Sequence, residues 1–164
     1  MTLDIAFATR GDLIAVGLVQ PFRRGEGLDG PAVWRRFAPY IGQIPDRIGL
    51  HTLGINEVVD MAAGDLVYAP AVEVSQIGNL PDALFGREKP YWKVLEGGRF
   101  AIFTVRLAGG DVAAEFRRAY DHIYGTWVPE SGAELRAWYD FEYYDDRFDP
   151  ETFTGEVSIW VPVR

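Results

Sequence analysis

The chain predicts an α+β fold: two pseudo-symmetric β-α-β-β repeats forming antiparallel sheet, with helices packed on one face and a groove between the halves. Three observations predict it. The order strand, helix, strand, strand reads twice along 164 residues. The segment from Asp111 to Trp127 has the clearest amphipathic helical spacing in the chain. Short echoes link the halves, Trp34-Arg-Arg-Phe37 with Phe116-Arg-Arg-Ala119 and Val67-Tyr-Ala-Pro70 with Ile159-Trp-Val-Pro162. The repeats are expected over about 1–78 and 95–164, inside one domain spanning 1–164. A chain of this length buries about 70% of its unfolded surface, enough for a proper core.

The elements follow in order. Leu13–Phe22 is a short apolar run ending at Pro21 and reads as a strand. Gly30-Pro31 opens a helix with proline in its first turn. Val33, Trp34, Phe37, Tyr40 and Ile41 keep helical spacing, and Pro39 inside that pattern predicts a kink or an early end. Ile48–Val59 and Leu66–Val74 read as strands separated by the turn Ala62-Ala-Gly-Asp65. Asn79–Tyr91 holds Pro81, Gly86 and Pro90 and reads as a long connection that covers the core or frames a site. Arg99–Leu107 is a strand after Gly97-Gly98. Asp111 is the expected N-cap of the second helix, which puts Val112, Phe116, Ala119, Tyr120, Ile123, Tyr124 and Trp127 on one face and is ended by Pro129. Leu135–Tyr144 and Glu156–Val163 complete the set as strands.

Composition removes several function classes. Apolar content of 48% and charged content of 24% are those of a soluble globular protein. With no cysteine there is no disulfide framework, thiolate metal site or cysteine nucleophile. Met1–Gly17 has no basic start and no long apolar run, so no signal peptide is expected. Nothing approaches the roughly 18 apolar residues of a membrane span, and a cytoplasmic location with no membrane partner follows. The net charge of −8 and scattered arginine pairs speak against direct nucleic-acid binding. The same acidic field attracts cations. His51 and His122 lie far apart with no cysteine nearby, so no metal site is expected.

Aromatic residues form 14% of the chain, a surplus suited to a ring-lined pocket. The richest stretch is Trp138-Tyr-Asp-Phe-Glu-Tyr-Tyr144. Strand alternation puts Trp138, Asp140, Glu142 and Tyr144 on one face and Tyr139, Phe141 and Tyr143 on the other. The second face reads as core. An acid framed by rings, as on the first face, is how a protein holds an organic cation; an exposed edge that happens to carry aromatics is the alternative.

These residues resemble the gyrase-inhibitor-like (GyrI-like), or effector-binding, domains of multidrug-sensing and AraC-type regulators. The stand-alone, integron-associated forms are the nearest in character. The resemblance rests on Gln43-Ile-Pro-Asp-Arg-Ile48, Tyr68-Ala-Pro-Ala-Val-Glu-Val74, Asn79-Leu-Pro81 with Gly98-Arg-Phe-Ala-Ile-Phe103, the stretch Tyr120 to Pro129, and Phe141 to Phe148 with Ile159-Trp-Val-Pro-Val163. It implies that Glu142 lies in a pocket and meets cationic ligands. Trp138, Tyr144, Trp92, Tyr120 and Trp160 are then the candidate walls. Trp160 departs from the aliphatic strand end of several relatives, and either narrows the pocket or adds bulk to the core. The resemblance fills the chain and leaves no room for a DNA-binding segment, so any role in transcription would run through a partner regulator. The expected function is binding of hydrophobic, cationic aromatic molecules, with no cofactor and no catalytic residue. Two alternatives use the same surface: hydrolysis of strained, cyclopropane-type DNA-alkylating compounds, and interaction with a transcription regulator or gyrase.

Overall fold

Each long helix begins where an aspartate can accept from backbone N–H groups that have no partner within the helix. Asp29 Oδ1 accepts from Ala32 N at 3.0 Å and opens α1 (Gly30–Phe37). Asp111 Oδ1 accepts from Ala114 N at 3.0 Å and opens α2 (Val112–His122). The computed structural model describes residues 2–164. Among these, no helix is long and apolar enough to cross a membrane.

The strands are β1 (Asp4–Arg10), β2 (Leu13–Leu18), β3 (Gln20–Arg23), β4 (Thr52–Asp60), β5 (Asp65–Val74), β6 (Pro90–Leu95), β7 (Gly98–Ala108), β8 (Tyr139–Tyr144), β9 (Phe148–Asp149) and β10 (Thr154–Pro162). The α+β class is therefore the one predicted. Two compact units divide the chain: Gly11–Gly97, and β1 together with Gly98–Arg164. In the first, antiparallel strands run in the order β4-β5-β2-β6, with β3 beside β5. In the second the order is β8-β10-β7-β1, with β9 beside β10. Each unit thus orders the strands of its β-α-β-β repeat in the same way and adds one lead strand outside. The lead strands are exchanged: β1 precedes β2 in sequence but pairs with β7, and β6 precedes β7 but pairs with β2. The compact units are not consecutive halves of the sequence.

Each unit buries one helix against one sheet face. In the unit ending at Arg164, Phe103, Val105, Val157, Ile159 and Val161 meet Phe116, Ala119 and Ile123 from the helical side. In the other, Val16, Leu18, Val72 and Val74 meet Phe37 of α1. Full burial of one such side chain is worth about 1.5–3 kcal/mol. Gly17 marks a close approach of β2 to β5, where an added Cβ would lie 1.8 Å from the Pro70 carbonyl oxygen.

Several details differ from the sequence expectation: β1 and β6 were not expected, and β8 begins at Tyr139 and not at Leu135. Leu13–Phe22 is not one strand but two, β2 and β3. As expected, α1 ends early at Pro39, and the chain continues as a 3-10 turn over Ala38–Gln43. Pro129 does not end the second helix. A π-helical turn, Ile123–Trp127, follows α2, Pro129 then sits in the first turn of α3 (Val128–Ser131), and Gly132 terminates the run in the left-handed conformation. The echo of Val67-Tyr-Ala-Pro70 with Ile159-Trp-Val-Pro162 is also out of phase. Tyr68 accepts a bond from Trp34 Nε1 of α1 at 2.9 Å and so faces the helix, whereas its matched residue Trp160 faces away from α2. A one-residue slip exchanges the two faces of a strand.

Candidate functional site

The register of β8 decides what its acids meet. Glu142 pairs with Ile159 of β10, and Ile159 pairs with Phe103 of β7. Both partners belong to the core beneath α2, so Glu142 projects from the helix-covered face, and alternation puts Asp140 beside it. Each acid is only 6% exposed. A carboxylate taken out of water is costly unless hydrogen-bonded or paired. Here the bonds come from tyrosines.

Tyr120 and Tyr124 are four residues apart, one on α2 and one in the π-helical turn. Their rings lie parallel, 6.4 Å apart and 5° from coplanar. Tyr124 donates its hydroxyl to Asp140 Oδ2 at 2.5 Å, and Tyr144 donates to Glu142 Oε2 at 2.6 Å. Both lengths fall in the range of charge-assisted O–H···O⁻ bonds. The Tyr120 hydroxyl lies between the acids, 3.4 Å from Asp140 Oδ1 and 3.2 Å from Glu142 Oε1. Burial, then the charge of Asp140 and its hydrogen bond, raise the Tyr124 hydroxyl well above the usual tyrosine pKa. Tyr124 nonetheless remains 37% exposed, so this residue closes the cluster at the surface. The edge-on contact of Tyr144 with Phe148 at 5.1 Å, and its tilted contact with Phe116 at 6.3 Å, fix the far end.

Of the residues predicted to form a site, Glu142, Tyr144 and Tyr120 come together. Trp138 sits in the bend before β8 and is 63% exposed. Trp92 lies on β6 in the other unit, 60% exposed. Trp160 is a correction. It occupies the sheet face opposite Glu142, stacked on Phe141 at 5.6 Å and edge-on to Phe100 at 5.6 Å. Its bulk fills the aromatic layer there and cannot wall a site on the helix side.

Two participants were undervalued in the sequence. Asp140 is as buried as Glu142, and Tyr124 makes the shortest bond of the cluster. The i, i+4 spacing of Tyr120 and Tyr124 was the available signal. Two surface clefts, of about 370 and about 270 Å³, lie elsewhere, one beside Phe7, Arg99 and Trp127 and one beside Gln20, Glu26 and Arg36. Asp140 and Glu142 line neither.

Two long helices on antiparallel sheet are the fold expected of an effector-binding domain. Residues 28–163 match the integron-associated effector binding protein family, Cass2, and the chain belongs to it. Among curated proteins, the transcriptional regulator BrlR of Pseudomonas aeruginosa is 27% identical over 134 residues, which are 80% of this chain and 45% of BrlR. The chain thus matches less than half the length of that relative. Solved structures share the fold. SAV2435 bound to tetraphenylphosphonium superposes with a TM-score of 0.68 at 17% identity, over 98% of this chain and 94% of that one. An integron cassette protein from the mobile metagenome of Vibrio cholerae gives 0.64 at 13% identity, over 98% and 95%.

Proposed function

We propose that this chain binds hydrophobic organic cations at Asp140 and Glu142, with Tyr120, Tyr124 and Tyr144 as the ring and hydroxyl lining. The observation that carries this reading is the burial of two carboxylates to 6% exposure under tyrosine hydroxyls. Hydroxyls are exchangeable partners: a cation entering beside them regains the Coulomb attraction that water would have supplied, and ring faces add cation–π attraction. The description of SAV2435 as bound to tetraphenylphosphonium, an aromatic cation, supports the same chemistry. Trp138, exposed two residues before Asp140, and Tyr124 are the residues placed to meet a ligand first. The likeness to BrlR supports a sensing role that reaches transcription through a regulator, with the acidic chain of net charge −8 making no direct nucleic-acid contact.

A thermal-shift series with matched shapes tests it. Tetraphenylphosphonium, neutral triphenylphosphine oxide and the anion tetraphenylborate are compared at equal concentration. A ligand at 100 times its dissociation constant stabilises by about 2.7 kcal/mol. Stabilisation in the order cation, neutral, anion is expected. An anion that stabilises as well as the cation would remove the acids from the site. Turnover of a strained electrophile, lost in Glu142→Gln, would replace this reading with the hydrolase.

A further inference from the structure

The buried face of β8 carries two acids, and they are equivalent in burial. Asp140 and Glu142 are each 6% exposed, and each has its own short tyrosine bond, from Tyr124 and Tyr144 respectively. One hydroxyl, that of Tyr120, lies within 3.4 Å of both. A ligand with one positive charge would meet one of the β8 acids closely, whereas a ligand with two would meet both. On the reading given above, we propose that the site selects dications: flat aromatic molecules with two cationic centres about 7 Å apart, the spacing of same-face neighbours on a strand.

The lining agrees with a flat ligand. Tyr120 and Tyr124 present parallel rings, 5° from coplanar, on the helical side of the acids. An extended two-ring dication lying along β8 would put one charged end at Asp140 and the other at Glu142. Asp140 then determines specificity for the second charge. It is not a redundant neighbour of Glu142.

The probes are N,N′-dimethyl-4,4′-bipyridinium and N-methyl-4-phenylpyridinium, which share a two-ring frame and differ by one charge. Both are titrated calorimetrically at 0.15 M salt, where surface fields beyond about 8 Å are screened, with tetraphenylphosphonium as a third ligand. The dication should bind on the order of tenfold tighter than the monocation to the wild-type protein. Asp140→Asn should erase most of that preference, weakening the dication clearly more than it weakens the monocation. Asp121→Asn on the exposed side of α2 alters net charge equally and should leave the preference intact. Equal affinities in the wild-type protein overturn the proposal without any variant, and so does a preference that survives Asp140→Asn. If tetraphenylphosphonium binds while the dication shows no advantage, only the dication inference falls. If none of the three cations binds, the cation-site reading falls with it.

Discussion

Glu142 is held by hydroxyls, so replacing its charge should cost the fold little. Removing a buried charge in favour of a near-isosteric amide is often neutral or stabilising. Glu142→Gln should therefore unfold in urea at the same midpoint as the wild-type protein or slightly above it. A clear drop would show that the carboxylate anchors the core. Tyr124 gives a pH prediction with a defined sign. Its hydroxyl is raised above the ordinary value of about 10, so the folded state holds that proton more tightly than the unfolded state. The stability it contributes is complete below about pH 10 and is lost as pH rises through the folded-state value. Alkaline unfolding should be less steep in Tyr124→Phe, and an ultraviolet titration of that variant should show one fewer tyrosine ionising above the ordinary range. Strand alternation alone made Glu142 and Tyr144 legible as neighbours. Trp160 was misplaced because its face depends on the pairing of Ile159 with Glu142, and pairing register is a tertiary fact that no local pattern contains.

The elements missed in the sequence, β1 and β6, are the outermost strands of their units. An outer strand pairs on one side and buries less, so its side chains need not alternate. Ile5 and Phe7 of β1 are 38% and 52% exposed, and Trp92 and Val94 of β6 are 60% and 52%. The inner strands and both long helices were legible because their burial is written in apolar spacing and aspartate caps. The end of the second helix was not, because Pro129 is compatible with either stopping a helix or starting one. Two substitutions probe elements directly. Asp111→Ala should destabilise by about 1 kcal/mol through loss of its cap to Ala114, read from the urea midpoint. Gly17→Ala forces a methyl against Pro70 and should cost about 3 kcal/mol or more, since the obstacle is backbone that cannot turn aside. A wild-type midpoint for Gly17→Ala would mean that β2 and β5 are not paired as described.

Over the molecule as a whole, the acidic excess and the buried acids act at different ranges. The net charge of −8 acts through solvent and steers cations toward the protein, an effect that salt screens. The carboxylates of β8 act at contact and are shielded from salt by burial. Raising ionic strength from 0.01 to 0.15 M shortens the screening length from about 30 to about 8 Å. Association of tetraphenylphosphonium should slow over that range while its dissociation rate stays nearly constant, a contrast that stopped-flow fluorescence can follow. The exchange of β1 and β6 between the repeats was invisible in the sequence for a related reason, since each pairs with a strand far along the chain rather than its neighbour. The most direct measurement is calorimetric titration of wild-type protein and Glu142→Gln with tetraphenylphosphonium and with neutral triphenylphosphine oxide. If Glu142 is a desolvated charge at the centre of a cation site, the variant loses about 2–5 kcal/mol toward the cation and far less toward the neutral ligand. Equal losses toward both ligands, or none toward either, would contradict it.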